Sequence, residues 1–245
     1  MTSSPRVANR DRFDWLLALA VLALVGTFVR VIFFTPVEAR QGAAQKIFYL
    51  HAPTAFIGLY VAFGIVALTS ALYLWLRDER LDRIAASSVE VGIVFMTVVL
   101  VTGPLWGKPV WGTWWTWDAR LTLTLFLWFV FVGYLILRGA IEDPGTRARY
   151  SAVLGVLGAL LVPFIHLSVY LFRTLHPMPI ILKPGRPSMP NDMLLTFSLS
   201  CIALLLLFVA LLRARYRLAE TLEALEAEYG SDSSPVATLR AEPVR

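Results

Sequence analysis

The 245-residue sequence has one cysteine and three histidines, and only 16% of its residues are charged. The lone Cys201 excludes an intramolecular disulfide and a thiolate metal cluster, and its position inside an apolar stretch indicates a small core residue. No P-loop or Gly-rich nucleotide motif occurs, so energy-coupled transport would require another subunit. The net charge of +5 reflects basic residues beside apolar stretches and does not indicate a nucleic-acid partner.

Apolar residues dominate the chain, because 58% of it is hydrophobic. About twenty apolar residues cross a ~30 Å hydrocarbon layer as a helix. The sequence therefore predicts an all-α polytopic membrane protein with six transmembrane helices and both termini on one side. The six predicted helices are Trp15 to Phe34, Ala55 to Leu76, Ile84 to Leu105, Leu121 to Leu137, Ala152 to Phe172 and Met193 to Leu212.

The distribution of basic residues predicts the orientation. Twelve basic residues flank the predicted helices on the side of the termini and seven flank them on the other side. Basic flanks tend to remain in the cytoplasm, so we expect cytoplasmic N- and C-termini and a multi-pass protein of a bacterial cytoplasmic membrane, surrounded by membrane lipid. The first apolar stretch is too long for the core of a signal peptide and is interpreted as a retained anchor.

Three regions follow from this topology. Residues 1–14 are predicted to be a cytoplasmic segment, residues 15–212 a membrane domain, and residues 213–245 a cytoplasmic tail that is first helical and then disordered. Gly230 is predicted to end the tail helix. The outer connections, residues 35–54, 106–120 and 173–192, carry most of the distinctive side chains, so the functional site is expected there.

All three histidines fall toward the outer side. His51 precedes the second predicted helix, with Pro53 in its first turn, and His176 follows the fifth. Two imidazoles at similar depth on one face can ligate a flat group from two sides. His166 lies about two turns inside the fifth helix, where a functional role competes with a neutral histidine bonded to a Ser, a Tyr or the carbonyl that Pro163 frees.

Five of the eight tryptophans are crowded between positions 106 and 117. If this stretch is helical, Trp111, Trp114, Trp115 and Asp118 share one face. Such a concentration indicates a platform for a large planar apolar ligand more than an interfacial belt. Arg120 suits a ligand carboxylate, and Asp118 either pairs with Arg120 or holds the loop. A platform, two imidazoles and an arginine on one face indicate haem.

The stretch WGTWWTWDARLT resembles the tryptophan-rich signature of the haem-handling proteins of cytochrome c biogenesis. Within that group, the length and the six predicted helices resemble the haem exporter protein C family from Trp15 to about Leu212. YLHAPTAF resembles the family segment around its first haem-ligating histidine, and SVYLFRTLHP resembles the segment around its second. Leu171-Phe172 stands where the family commonly has a tryptophan pair, and Pro177 stands where it often has Gln.

The resemblance implies a function for the chain. It implies that haem b is bound transiently on the periplasmic side and loaded onto the chaperone CcmE, together with the subunits CcmA, CcmB and CcmD, without enzymatic catalysis. His51 and His176 would be the axial ligands of the haem iron. The implied haem-binding residues are His51, His176, Trp111, Gly112, Trp114, Trp115, Trp117, Asp118 and Arg120.

Two other functions compete with haem delivery. An electron-transfer subunit resembling a cytochrome b normally holds its haem between histidines inside the helices, where only His166 is predicted to lie. A small-solute transporter would be expected to have interrupted helices and polar residues near the middle of the membrane. Few such residues occur in this sequence.

Overall fold

The structure, a computed structural model, describes residues 13–181 and 183–232, the last four of them by their backbone alone. Within these residues the fold is all-α, as predicted. A 3₁₀ turn, Ala43–Ile47, leads into α2, and a π-helical turn, Ile57–Ala62, joins α2 to α3. The helices are α1 Trp15–Phe33, α2 Phe48–Phe56, α3 Phe63–Leu76, α4 Glu79–Trp111, α5 Ala119–Ala140, α6 Pro144–Ala159, α7 Leu161–Leu171 and α8 Asn191–Asp232.

Six helical segments in the described part of the chain are long and apolar enough to cross a membrane. This confirms the predicted number of membrane helices. The segments are Trp15–Phe33, Ala43–Leu76, Glu79–Trp111, Ala119–Ala140, Pro144–Leu171 and Asn191–Glu228.

Aspartate side chains begin four of the helices. Asp14, Asp78, Asp118 and Asp143 each accept a hydrogen bond from a backbone N–H in the first turn of α1, α4, α5 and α6. These bonds satisfy donors that have no partner inside the helix. Three of these carboxylates, Asp78, Asp118 and Asp143, mark where a connection between membrane segments stops and the next helix starts.

The centre of the bundle is packed with aromatic and aliphatic side chains from α3, α4, α5 and α7. Phe63 stacks on Phe131 with ring centroids 4.0 Å apart and planes 4° apart. Both rings are fully buried, as are Met96 and Ile165 around them. Close packing of this kind makes the bundle a rigid support for the loops at its ends.

The two ends of the bundle differ in chemistry. At one end, called the site end here, Thr35 beyond α1 meets Thr196 near the start of α8, with hydroxyl oxygens 3.0 Å apart. At the opposite end Arg138 donates to both oxygens of Asp82 at 2.7 and 2.9 Å. Because α1 and α8 pack antiparallel, residue 15 and the last described residues lie at that opposite end. The cytoplasmic location of the termini stays a prediction.

Three expectations about helix limits were wrong. The second membrane segment starts at Ala43, so both His51 and Pro53 lie inside α2. The segment starts this early because Phe48 and Tyr49 pack in one cluster with the buried Trp106 and Phe197. The third extends to Trp111, beyond the predicted Leu105. The last helix continues past Gly230 to Asp232. Residues 1–12 and 233–245, part of the predicted terminal segments, lie outside the described residues.

Candidate ligand-binding site

A cleft opens at the site end of the bundle between α2, α4 and α5. It encloses about 760 Å³ of space free of atoms, part of it open to solvent. Residues 113–116, from the loop after α4, and residues 175–176, from the loop after α7, complete its walls. Most of the lining is aliphatic or aromatic, including Leu59, Val99, Leu100 and Leu121.

His51 lines the cleft from α2. Its Nδ1 lies 2.9 Å from the hydroxyl oxygen of Thr102 on α4. The ring also packs edge-on against Trp106, with centroids 5.7 Å apart and planes at 61°. These contacts hold the imidazole on two sides and leave Nε2 with no hydrogen-bond partner among the described residues.

His176 lines the same cleft from the loop after α7. Its Nδ1 lies 3.0 Å from the carbonyl oxygen of Pro177, which can only accept, so Nδ1 carries the proton and Nε2 keeps its lone pair. Burial, and then the positive charge of Arg120, lower the pKa of His176 to about 3. The side chain is therefore neutral at physiological pH, the state in which an imidazole binds a metal.

The tryptophan-rich stretch does not form the helix that would place four of its residues on one face. Helix α4 ends at Trp111, and Gly112 adopts φ 78°, a left-handed conformation that suits glycine. The chain then runs as an irregular loop, in which the Thr113 hydroxyl donates to the carbonyl of Trp115 at 3.0 Å. The loop, and not helical spacing, brings Trp114 and Trp115 to the cleft, which Trp111 lines from the end of α4.

Asp118 holds two loops together. Its carboxylate accepts from the backbone N–H of Leu121 at 3.0 Å, which begins α5, and from the Thr116 hydroxyl at 3.2 Å. It also accepts from the N–H of Leu175 at 3.1 Å, next to His176. No ion pair joins Asp118 to Arg120 in the described part of the chain. Of the two roles considered for Asp118, the structure therefore has the one that holds the loop.

Two buried donors that border the cleft have no partner in the described structure. They are Nη1 of Arg120 and the indole Nε1 of Trp115. A buried donor without a partner is rare in a folded protein, and its burial costs about 1–3 kcal/mol. A carboxylate is the type of acceptor that such donors require. The donors, the apolar walls and the two imidazoles suit a planar ligand that carries a metal and carboxylates.

Not every predicted site residue borders the cleft. His51, His176, Trp111, Trp114, Trp115 and Arg120 line it, whereas Gly112, Trp117 and Asp118 do not. Gly112 and Asp118 shape the loop. Trp117 is 76% exposed and packs edge-on against Trp115, with ring centroids 5.8 Å apart.

His166 lies apart from the cleft. Its Nδ1 is 2.7 Å from the hydroxyl of Tyr60, which belongs to the π-helical turn after α2. Tyrosine is one of the partners that the sequence predicted for a neutral histidine at this position. The membrane segment that carries His166 is interrupted at Leu160, between α6 and α7. Pro163 lies three residues later, and its ring nitrogen has no N–H to donate to the preceding turn.

The sequence did not predict three residues of α4 that contribute to the cleft. Gly103 and Trp106 line it, and Thr102 supports His51. Trp106 was counted among the crowded tryptophans but given no role, although it packs on His51. Thr102 and Gly103 lie beside the same ring and were not predicted from the sequence. Helical spacing offered a weak signal, because Thr102 and Trp106 are four residues apart on one helix and so lie on one face.

Comparison with known proteins adds a family to this geometry. The family model described as "Heme exporter protein C" matches residues 4–228. The chain belongs to the haem exporter protein C family. A Heme exporter protein C of Bradyrhizobium diazoefficiens is 34% identical over 92% of each chain. Proteins of that name from Haemophilus influenzae (38%, over 83% of this chain and 82% of the relative) and Escherichia coli K12 (36%, over 66% of each) are also similar.

The match of the haem exporter protein C family covers all six membrane-length segments as far as Glu228. It also contains every residue that lines the cleft. The cleft therefore belongs to the part of the chain that the family shares, and it is not formed by an extension specific to this sequence.

Proposed function

We propose that this chain binds haem in the cleft, with His51 and His176 as axial ligands, and passes it on during cytochrome c maturation. Membership of the haem exporter protein C family supports a role in haem handling for that process. The observation that carries the proposal is the pair of imidazoles on one cleft, each with Nδ1 occupied by a hydrogen bond and with Nε2 unpartnered among the described residues.

The surroundings of the two histidines support haem over a free metal ion. Bound haem supplies an iron with two axial positions and a wide apolar macrocycle that bears two carboxylates. Trp111, Trp114 and Trp115 offer aromatic surface to the macrocycle, and each aromatic contact adds about 0.5–1.5 kcal/mol beyond burial. The unpartnered Nη1 of Arg120 is a charged donor for a propionate.

We further propose that the site end faces the periplasm across the cytoplasmic membrane. There the chain would load haem b transiently onto CcmE, together with CcmA, CcmB and CcmD, and catalyse no reaction itself. The basic bias of the opposite flanks supports this orientation. We assign the contact with a partner to Trp117, which is 76% exposed and does not line the cleft. Exposed tryptophans contribute strongly to protein interfaces.

Histidine substitutions test the ligand assignment. His51→Ala and His176→Ala are each expected to remove the low-spin absorption spectrum of the purified protein, because one axial ligand is lost. His166→Ala is the matched control, since His166 bonds to Tyr60 away from the cleft and its loss should leave that spectrum intact. Loss of the spectrum in His166→Ala, together with its retention in His176→Ala, would refute the assignment. It would favour a haem deeper between the helices, as in a cytochrome b.

Two further experiments test direction and delivery. A Cys at position 113, placed in a chain whose Cys201 is replaced by Ala, is expected to react with an impermeant thiol reagent only from the periplasmic side. Labelling from the cytoplasm alone would reverse the proposed orientation. Trp117→Ala should keep its haem content but reduce covalent haem on co-expressed CcmE. Unchanged transfer would remove Trp117 from the proposed contact.

A further inference from the structure

We infer that Thr102 is a positioning residue that sets the tautomer and the ring orientation of His51 toward the cleft. The inference rests on the proposed role of His51 as an iron ligand. Thr102 is 8% exposed and lies on α4, opposite α2. Its hydroxyl oxygen is 2.9 Å from Nδ1 of His51, and this is the bond that joins the two helices at the level of the ring.

The direction of this hydrogen bond follows from counting protons. A threonine hydroxyl has a single proton, and we assign it to the carbonyl oxygen of Val98, which lies 2.7 Å away and is closer than Nδ1 of His51 at 2.9 Å. The carbonyl can only accept, so the hydroxyl oxygen is left as an acceptor for His51. Nδ1 of His51 therefore carries the ring proton, and Nε2 keeps the lone pair that an iron ligand needs.

Neighbouring residues on α4 fix the plane of the ring. A Cβ at Gly103 would lie 3.3 Å from Cε1 of His51, so a side chain there would displace the imidazole by a few tenths of an ångström. Trp106 packs edge-on against the ring from the next turn, with centroids 5.7 Å apart. With Thr102 holding Nδ1, the imidazole is restrained at one nitrogen, one edge and one face.

This arrangement has consequences for an iron bound at Nε2. A hydrogen bond from Nδ1–H to an oxygen raises the basicity of the imidazole and orients it, and loss of such a bond typically weakens metal binding about 10- to 100-fold. A more basic ligand favours the ferric state. Removing the acceptor should therefore shift the reduction potential of bound haem upward.

The test compares Thr102→Val with Thr102→Ser. Val keeps the shape of Thr but offers no acceptor, whereas Ser restores the hydroxyl. Thr102→Val is expected to bind haem about 10- to 100-fold more weakly in titrations of the purified full-length protein, with a raised reduction potential. Thr102→Ser should restore both values. If the substitution only damaged the fold, the temperature of thermal unfolding would fall, but the reduction potential of the haem that remains bound would not change.

Thr97→Val is the matched control. Thr97 lies on the same helix, donates to the carbonyl of Ile93 at 2.8 Å and accepts from the indole of Trp128 at 2.9 Å, the same pattern of bonds as at Thr102 but away from the cleft. Its substitution should leave haem affinity and potential unchanged.

A double substitution separates this inference from the proposed function. If Thr102 acts through His51, adding Thr102→Val to His51→Ala should cause no further loss of affinity. The inference would be overturned if Thr102→Val lowered haem affinity as much in the His51→Ala background as in the wild type. It would also be overturned if Thr102→Val alone kept wild-type affinity and potential. If His51→Ala itself keeps the wild-type spectrum, the proposed ligand and this inference both fail. If His51→Ala loses the spectrum but Thr102→Val changes neither haem affinity nor reduction potential, the ligand assignment stands and the inference fails.

Discussion

Replacing Arg120 with Gln is expected to affect folding and binding in opposite directions. In the ligand-free protein, Nη1 of Arg120 is buried without a partner, and no carboxylate pairs with the guanidinium among the described residues. Burying a charged donor without a partner is unfavourable, so a neutral side chain should leave the thermal stability of ligand-free protein equal or higher. Haem binding should weaken, because the propionate loses its cation.

The size of the loss follows from the type of bond. A hydrogen bond to a charged group contributes about 1.5–3 kcal/mol, which corresponds to roughly a 10- to 150-fold change in dissociation constant. Haem titration of the purified protein measures that constant, and thermal unfolding of the ligand-free protein measures stability. Arg120→Lys should recover only part of the affinity, because a lysine cannot form the paired bonds of a guanidinium with a carboxylate.

Arg138→Gln is the control at the other end of the same helix. Arg138 donates to both oxygens of Asp82, and both side chains are mostly buried, so its loss should destabilise the protein by up to about 3 kcal/mol. Haem affinity should stay unchanged. If Arg120→Gln instead destabilised the ligand-free protein as strongly as Arg138→Gln and bound haem normally, Arg120 would be a structural residue and the argument from its unpartnered nitrogen would be refuted.

Three further predictions concern the walls of the cleft. Trp114→Ala combined with Trp115→Ala should lower the haem content of purified protein with both histidines intact, and full content would make these tryptophans an interfacial belt. Gly103→Ala should press on the ring of His51 and alter the low-spin spectrum, since the new Cβ lies 3.3 Å from Cε1; an unchanged spectrum would show that the ring moves freely. Asp118→Ala should lower the free energy of unfolding by about 0.5–2 kcal/mol and Asp118→Asn by less, because Asn also caps helices; equal losses would contradict the capping role.

The helical architecture could be predicted from composition because the bilayer imposes it. Long apolar segments satisfy their backbone groups only as helices, so runs such as the one around Leu22 have one stable form in a membrane. Segment ends were predicted less well. Residues 43–54 are helical because Phe48 and Tyr49 pack on distant residues of α4 and α8, and no local pattern records that contact.

The candidate site divides in the same way. The short list of histidines, the crowded tryptophans and one arginine predicted which residue types meet at one end of the bundle. The conformation of the tryptophan stretch was not predictable from spacing, because a single left-handed residue, Gly112, ends the helix and sends Trp117 out of the cleft.

The sequence by itself determined the membrane class, the number of crossings, the family and the end of the bundle where His51 and His176 meet, because these depend on apolar length, chain parity and a specific motif. Only the tertiary structure decided how those residues are held. Asp118 reaches Leu175 across 57 positions of sequence, and Thr102 reaches His51 across 51. Such bonds depend on which faces of packed helices meet. Which faces meet depends on the packing of the whole bundle and not on any single stretch of sequence.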